Sequence, residues 1–117
     1  NIDFSLPRVF HGNLVFKEWM INNKLSLDDH NIYSPLVSSK NKLPDIVLVP
    51  LLAFDLQFNR LGQGGGHYDT YASKHKSAQY IGYSYAEQQV GNIPREKHDI
   101  TLNKIITNNS VFFNNNI

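Results

Sequence analysis

Residues 45–74 read DIVLVPLLAFDLQFNRLGQGGGHYDTYASK, a succession of an apolar run, a glycine-rich loop and a helical pattern. The run at 45–54 is almost continuously apolar and rich in branched residues, which is typical of a strand buried on both faces of a parallel sheet. Pro50 cannot donate a hydrogen bond to a neighbouring strand, so we expect the strand to end or bulge there and residues 51–54 to form its exit. A strand, a glycine loop and a helix in this order predict an α/β layer architecture.

The helix and two further strands are predicted from the periodicity of apolar residues. In HYDTYASKHKSA, residues 67–78, one helical face is shared by Tyr68, Tyr71, Ala72 and His75. Residues 80–86 and 100–107 have the alternation that is expected of strands. The chain therefore continues the α/β pattern beyond the glycine loop.

The segments on either side of this pattern are less regular. Residues 14–20 predict a strand, whereas residues 25–35 are expected to form a loop-rich connection. The Asn-rich tail at 108–117 is expected to fray. We expect a single domain over residues 1–117, because this length supports one hydrophobic core and two independent domains would each be marginal.

Composition and charge argue against several classes of protein. Hydrophobic residues make up 41% of the chain and charged residues 18%, as in globular proteins, and a net charge of +1 gives no field that attracts nucleic acid or anionic lipid. No apolar run approaches the roughly 20 residues of a membrane span, and the sequence does not start with a secretory signal. The absence of cysteine is compatible with the cytosol. We expect a cytoplasmic protein without nucleic-acid or membrane partners.

The glycine loop is suited to bind phosphate. Gly64, Gly65 and Gly66 follow Gly62, so the backbone is free to adopt positive φ and to turn its N–H groups toward an anion. A helix that begins directly after the glycines would point the positive end of its dipole at the same place, and Arg60 would add a forked contact to phosphate oxygens. The pattern is neither a Walker A motif nor a dinucleotide fingerprint. A flexible surface turn is the alternative interpretation.

Two acidic residues are candidates to hold a cation beside the phosphates. Magnesium favours one or two carboxylates together with phosphate oxygens, and Asp69 and Asp99 would supply them. The alternatives are a helix-stabilising role for Asp69 in the first helical turn and a cap or turn role for Asp99. A third possibility is a zinc or iron site in which His67 and His98 join the same two acids.

The segment RLGQGGGHYD at 60–69 resembles the signature of 5-formyltetrahydrofolate cyclo-ligases, also called methenyltetrahydrofolate synthetases. The resemblance extends upstream through PDIVLVPLLAFD at 44–55 and downstream through YIGYSYAEQQV at 80–90 and IPREKHDITLNKIIT at 93–107, in the family's order and spacing. It implies a three-layer α/β/α fold with a mostly parallel sheet. This chain would be the C-terminal two-thirds of that fold, incomplete at its N-terminus.

The resemblance also implies an activity, the ATP-dependent cyclisation of 5-formyltetrahydrofolate to 5,10-methenyltetrahydrofolate. In that reaction the formyl oxygen attacks the γ-phosphate of ATP, N10 attacks the resulting imidate phosphate, and phosphate leaves. Arg60 is the catalytic candidate, and Asp69 and Asp99 fall on the magnesium positions. The residues that would also contact the folate are Gln63, Gly64, Gly65, Gly66 and His67. The ATP-binding stretch corresponds to Arg60, Leu61, Gly62, Gln63, Gly64, Gly65, Gly66, His67 and Tyr68.

Several positions depart from the family pattern. Gln63 and His67 stand where many members have an aromatic residue or Arg and a Tyr, while Thr70 and Asn103 replace a common Arg and a common acid. The family's N-terminal helix with basic ATP contacts has no counterpart in this sequence, so activity would need that segment from the same or another chain. A non-catalytic nucleotide-binding remnant is therefore the alternative function, and an interaction protein whose glycine loop is only a turn is the third.

Overall fold

The computed structural model describes residues 2–64 and 66–117. Its backbone forms two compact units, one that ends at Pro44 and one that spans Asp45–Ile117. Each unit has its own strands and its own buried apolar side chains. The expectation of one domain concerns how the two units fold together, and it stays a prediction.

The first unit is built from antiparallel strands. They are β1 (Ser5–Phe10), β2 (Asn13–Glu18), β3 (Leu25–Leu27), β4 (Tyr33–Pro35) and β5 (Asn41–Lys42). The hairpin of β1 and β2 has a two-residue loop, His11 and Gly12, whose φ angles of 49° and 78° suit a type I′ turn. β5 pairs with the other edge of β2. The strand predicted at 14–20 is confirmed by β2, although β2 ends at Glu18.

The prediction of a loop-rich connection at 25–35 is wrong, because β3 and β4 pair as a hairpin. The turn between them is closed by Asp28, a buried carboxylate whose Oδ1 accepts hydrogen bonds from the N–H groups of His30 at 2.8 Å and Ile32 at 3.1 Å. An Asp side chain can replace a backbone turn in this way. Strands of three residues are too short for their alternation to be recognised in the sequence.

The second unit contains the predicted α/β pattern. Its strands are β6 (Ile46–Val49), β7 (Ala53–Phe54), β8 (Arg60–Leu61), β9 (Gln79–Tyr83), β10 (Lys104–Ile106) and β11 (Val111–Phe113); helix α1 (His67–Lys74) precedes β9, and a 3-10 turn (Ala86–Gln88) follows it. The main sheet has the order β11-β10-β9-β6, with β6, β9 and β10 parallel and β11 antiparallel at the edge. β7 and β8 form a separate antiparallel pair. The α/β class is thus confirmed as a small, mixed, sheet-dominated fold with one α-helix among the described residues.

Strand β6 ends at Val49, directly before Pro50, as the missing N–H group of proline predicts. The expectation that this strand is buried on both faces is wrong. Val47 and Val49 are buried, whereas Ile46 and Leu48 are 57% and 62% exposed. The continuous apolar run nevertheless forms an alternating strand, because the side chains of Ile46 and Leu48 lie largely in solvent.

Two expectations for the end of the chain are also corrected. The strand predicted at 100–107 is confined to β10, because the preceding residues turn aside to pair elsewhere: the N–H of Leu102 donates to the carbonyl of Phe58 at 2.9 Å. The tail does not fray, since β11 pairs with β10 and the Phe112 ring lies 6.2 Å from that of Phe54, between centroids. Edge pairing and an aromatic contact hold this segment in place. No helix within residues 2–64 and 66–117 has the length and apolar character needed to cross a lipid bilayer.

Gly82, the fourth of the five residues of β9, is closely surrounded by core side chains. A Cβ added there would lie 2.9 Å from Cδ1 of Leu102 and 2.9 Å from Cδ2 of Leu51. We expect Gly82→Ala to lower the free energy of unfolding by about 1–3 kcal/mol, as overpacking in a filled core does. Urea denaturation measures this loss. Gly91→Ala is the matched control, because a Cβ at Gly91 meets no atom within 4 Å; equal stability of the two variants would show that space at Gly82 is not limiting.

Candidate functional site

The carboxyl ends of β6, β9 and β10 lie at one edge of the sheet because these strands are parallel. Ligands of open α/β sheets bind outside this edge. Pro50 follows the end of β6, and its carbonyl oxygen accepts a hydrogen bond of 2.9 Å from Nη1 of Arg60. The residue predicted to clamp phosphate is therefore anchored where a ligand of such a sheet would bind.

The guanidinium group of Arg60 is enclosed by the glycine loop and the start of the helix. The Arg60 side chain is 7% exposed, and a Cβ added at Gly62 would lie 2.5 Å from its Nη1. The Tyr68 ring centroid lies 5.8 Å from the guanidinium carbon. Burial raises the pKa of Tyr68 and the charge of Arg60 partly offsets that rise, so the phenol is neutral at neutral pH. A side chain at position 62 would therefore have to displace the guanidinium group of Arg60.

Asp69 lies in the first turn of α1 and faces Arg60. Its Oδ2 is 3.6 Å from Nη2 of Arg60, and its Oδ1 accepts a 2.8 Å hydrogen bond from the backbone N–H of Ile100. A carboxylate at this position is also favoured by the helix dipole, so the helix-stabilising role remains one explanation for Asp69. The helix dipole does not explain the contacts that Asp69 makes with Arg60 and Ile100.

Asp99 lies in the loop before β10. Its Oδ2 accepts a 2.8 Å hydrogen bond from the N–H of Glu96, and its carbonyl oxygen accepts a 3.0 Å hydrogen bond from Nη2 of Arg95. The first of these contacts is the turn role considered as the alternative. The next residue, Ile100, donates its N–H to Asp69, so the backbone after Asp99 contacts the Asp69 side chain, while the Asp99 carboxylate is bonded within its own loop.

The glycine loop has the predicted conformational freedom at two described positions. Gly64 and Gly66 have φ angles of 97° and 69°, in the region that favours glycine, and α1 begins directly afterwards at His67. Gln63 and Gly64 are exposed, so they are open to a ligand. Gly65, also predicted to bind ATP and folate, lies outside the described residues.

The arrangement of the described residues does not support the zinc or iron alternative. Within residues 2–64 and 66–117, no three His, Cys, Asp or Glu side chains are grouped so that they could hold a metal ion together. His98 is exposed on the 95–100 loop, whereas Asp69 is half-buried against Ile100. A site with two carboxylates, which magnesium can use with phosphate oxygens, is not affected by this result.

Three residues that hold the segment before Arg60 in place were not predicted from the sequence: Asp55, Asn59 and Arg95. Asp55, 1% exposed, accepts hydrogen bonds from the N–H groups of Gln57 and Asn59 at 3.0 Å each and from the N–H of Ile93 at 2.9 Å. The amide of Asn59 donates to the same carboxylate and receives a 3.0 Å hydrogen bond from Nη1 of Arg95. An Asp followed four residues later by an Asn, directly after a strand, is a turn signal, but partners 36 and 38 residues away leave no local pattern.

The pKa of Asp55 reflects this set of donors. Burial by itself raises the pKa of the carboxyl group, but the hydrogen bonds from Asn59, Ile93 and Gln57 outweigh burial and hold the pKa below its usual range. Asp55 is therefore ionised at neutral pH. It joins the 55–59 turn, which leads into Arg60, to the loop at 90–93.

The family profile of 5-formyltetrahydrofolate cyclo-ligases matches residues 6–108. The chain belongs to the 5-formyltetrahydrofolate cyclo-ligase family. The resemblance carried by residues 60–69 and their flanking segments is thereby confirmed. Because the match includes β1 and β10, it extends over both compact units.

Individual proteins that are similar to this chain carry the name of the same family. The 5-formyltetrahydrofolate cyclo-ligase of Escherichia coli K12 is 34% identical over 107 residues, which cover 86% of this chain and 59% of the relative. That of Saccharomyces cerevisiae is 36% identical over 115 residues, covering 88% and 54%. The NMR structure of Aquifex aeolicus 5,10-methenyltetrahydrofolate synthetase matches with a TM-score of 0.79 at 28% identity, covering 95% of this chain and 58% of that one. This chain thus spans less than two-thirds of the length of these relatives.

Proposed function

We propose that this chain supplies the nucleotide-phosphate and magnesium site of an enzyme that converts 5-formyltetrahydrofolate to 5,10-methenyltetrahydrofolate, with ATP as the second substrate. The observation that carries the proposal is the placement of Arg60: it lies under the glycine loop, at the carboxyl edge of the parallel strands, beside Asp69. Membership of the cyclo-ligase family supports the same activity.

The ATP phosphates would bind along residues 60–68. Arg60 carries the positive charge, Gly64 and Gly66 have the positive φ angles that would let the loop turn N–H groups toward an anion, and α1 begins at the end of the loop. The folate would lie against residues 63–67, of which Gln63 and Gly64 are exposed. Gln63 and His67 replace the family's more common residues, so the contacts with the folate at these two positions would differ from those of most members.

Asp69 and Asp99 would hold the magnesium ion that accompanies ATP. The donor set fits, because both are carboxylates, both come from segments joined through Ile100, and Asp69 Oδ2 accepts no hydrogen bond from the described residues. When bound, magnesium would neutralise charge on the phosphate oxygens. Arg60 would contribute by holding the phosphoryl group in place, since phosphoryl transfer depends mainly on positioning and charge stabilisation.

The reaction proceeds in two steps, and each step forms one bond and breaks another. The formyl oxygen bonds to the γ-phosphorus as the bond to ADP breaks; N10 then bonds to the formyl carbon, and the carbon–oxygen bond breaks to release phosphate. N10 loses its proton in the second step. Release of phosphate drives ring closure without any redox change.

The remaining finer expectations are part of the same proposal. We propose a single cytoplasmic domain with a three-layer α/β/α arrangement, completed by a segment in the same or another chain. The exposed apolar face of the sheet supports this, since Ile46, Leu48, Tyr83 and Phe113 are all exposed there. An apolar sheet face requires a covering layer.

Gly62→Ala tests the nucleotide site. The added Cβ would displace the guanidinium group of Arg60 from Pro50 and Asp69, so we expect the affinity for Mg-ATP to fall about tenfold or more, the effect of losing one charge-assisted contact. Calorimetric titration measures it, with Gly91→Ala as the matched control. A folded native chain that binds no Mg-ATP would contradict the proposal, and binding without cyclisation by the complete gene product would favour the non-catalytic remnant.

A further inference from the structure

Each member of the Arg60–Asp69 pair is anchored by one atom and pairs through another. Nη1 of Arg60 donates to the Pro50 carbonyl at 2.9 Å, and Oδ1 of Asp69 accepts from the Ile100 N–H at 2.8 Å. The other two atoms, Nη2 and Oδ2, face each other at 3.6 Å. Nη2 and Oδ2 can therefore change partners while each side chain keeps its hydrogen bond to a backbone group, Pro50 for Arg60 and Ile100 for Asp69.

The two pairing atoms are also those that a phosphate and its cation would need. A guanidinium N–H group binds phosphate oxygens, and a carboxylate oxygen binds magnesium. We propose that Arg60 and Asp69 mask each other in the ligand-free protein, and that a polyphosphate and magnesium displace this pair together. This proposal rests on the proposed function, because it concerns how the same site accepts its ligands.

Burial makes the masking effective. The side chains are 7% and 22% exposed, so water replaces a lost partner only in part. A polyphosphate that took Arg60 alone would leave the Asp69 carboxylate uncompensated beside a new anion, which is unfavourable in a partly buried site. Binding of the anion and of the cation is thus positively coupled, and the coupling works equally in both directions.

The proposal predicts an unusual gain of affinity. Asp69→Asn keeps the acceptor for Ile100 but removes the charge that occupies Arg60, so without magnesium this variant should bind tripolyphosphate about fivefold more tightly than the native chain, the lower end of typical coupling. Calorimetry in excess EDTA measures the two dissociation constants. Glu96→Gln, which removes an exposed acid from the neighbouring loop, is the charge-matched control and should leave the affinity unchanged.

A double-mutant cycle separates masking from simple repulsion of the anion by Asp69. If Asp69 acts by occupying Arg60, the gain from Asp69→Asn disappears in an Arg60→Gln background; if it only repels the anion, the gain persists there. A persistent gain, or no gain in the single variant, would overturn the proposal. If Arg60→Gln does not fold, NMR decides: tripolyphosphate should shift the Arg60 guanidinium signal, one of three arginines, more strongly in Asp69→Asn than in the native chain.

These outcomes are distinct from failure of the proposed function. A native chain that binds Mg-ATP but shows no gain with Asp69→Asn would overturn the masking proposal alone. A native chain that binds neither Mg-ATP nor tripolyphosphate would overturn the proposed nucleotide site, and the masking proposal with it.

Discussion

The complete gene product carrying Asp69→Asn is expected to turn over at least about 100-fold more slowly than the native protein, while remaining folded. Asparagine keeps the shape and the hydrogen bond from Ile100 but removes the charge that would hold magnesium beside the phosphates. Charge neutralisation at the transferring phosphoryl group lowers the activation free energy by several kcal/mol, so its loss accounts for a fall in turnover of this size. Initial rates at saturating ATP, measured over a series of magnesium concentrations, give the effect.

The alternative role of Asp69 predicts a very different result. If the carboxylate only complements the helix dipole, its neutralisation should lower stability by about 0.3–1 kcal/mol and leave turnover nearly unchanged. Glu96→Gln serves as the control for loss of a nearby exposed acid. Retention of more than about a third of native turnover, a barrier change below roughly 0.7 kcal/mol, would remove Asp69 from the proposed magnesium site.

Asp55→Asn is expected to lower the free energy of unfolding by about 3–5 kcal/mol at pH 7. The carboxylate accepts hydrogen bonds from three backbone N–H groups and one side-chain amide, and asparagine would place an N–H₂ group against some of these donors. Unpaired buried donors, together with the lost charge-assisted bonds, account for a loss of this size. Urea denaturation measures it, and Asp45→Asn, the same change at an exposed position, is the control.

The same substitution should change the response to acid. A carboxyl group with a depressed folded pKa contributes stability that is complete above the unfolded pKa of about 4 and is lost as the pH falls through the folded pKa. Native stability should therefore decline below about pH 4, and Asp55→Asn should show a shallower decline. A loss below about 1 kcal/mol at pH 7, or an unchanged dependence on pH, would show that Asp55 is not the organising group we infer.

Features that depend on neighbouring residues were predictable from the sequence. The end of β6 before Pro50 follows from the missing proline N–H, and positive φ at Gly64 and Gly66 follows from the clustered glycines. The start of α1 after those glycines was predicted from the helical pattern that directly follows them. Each of these signals lies within a few residues of the structure it determines.

Features that depend on distant residues were not predictable. The apolar run at β6 looks the same whether one or both faces are covered, because coverage depends on other elements. The edge strand β11 forms where β10 offers it a partner, although its own sequence is rich in Asn. Likewise, the hydrogen bond between Asn59 and Arg95 joins residues 36 positions apart.

The candidate site was only partly predictable for the same reason. Arg60 and Asp69 were predicted as candidates for phosphate and magnesium binding, and those roles stay predictions; their pairing depends on Pro50 and Ile100, which contribute only backbone atoms. Backbone contacts of this kind place no requirement on residue type. They leave no signal in a single sequence.

ATP-dependent formation of 5,10-methenyltetrahydrofolate by the complete gene product, followed by absorbance, is the most direct test of the proposed activity. We predict product formation that requires both ATP and magnesium and is lost in Asp69→Asn. A folded native protein that forms no methenyltetrahydrofolate when 5-formyltetrahydrofolate, ATP and magnesium are all present would contradict the proposed function.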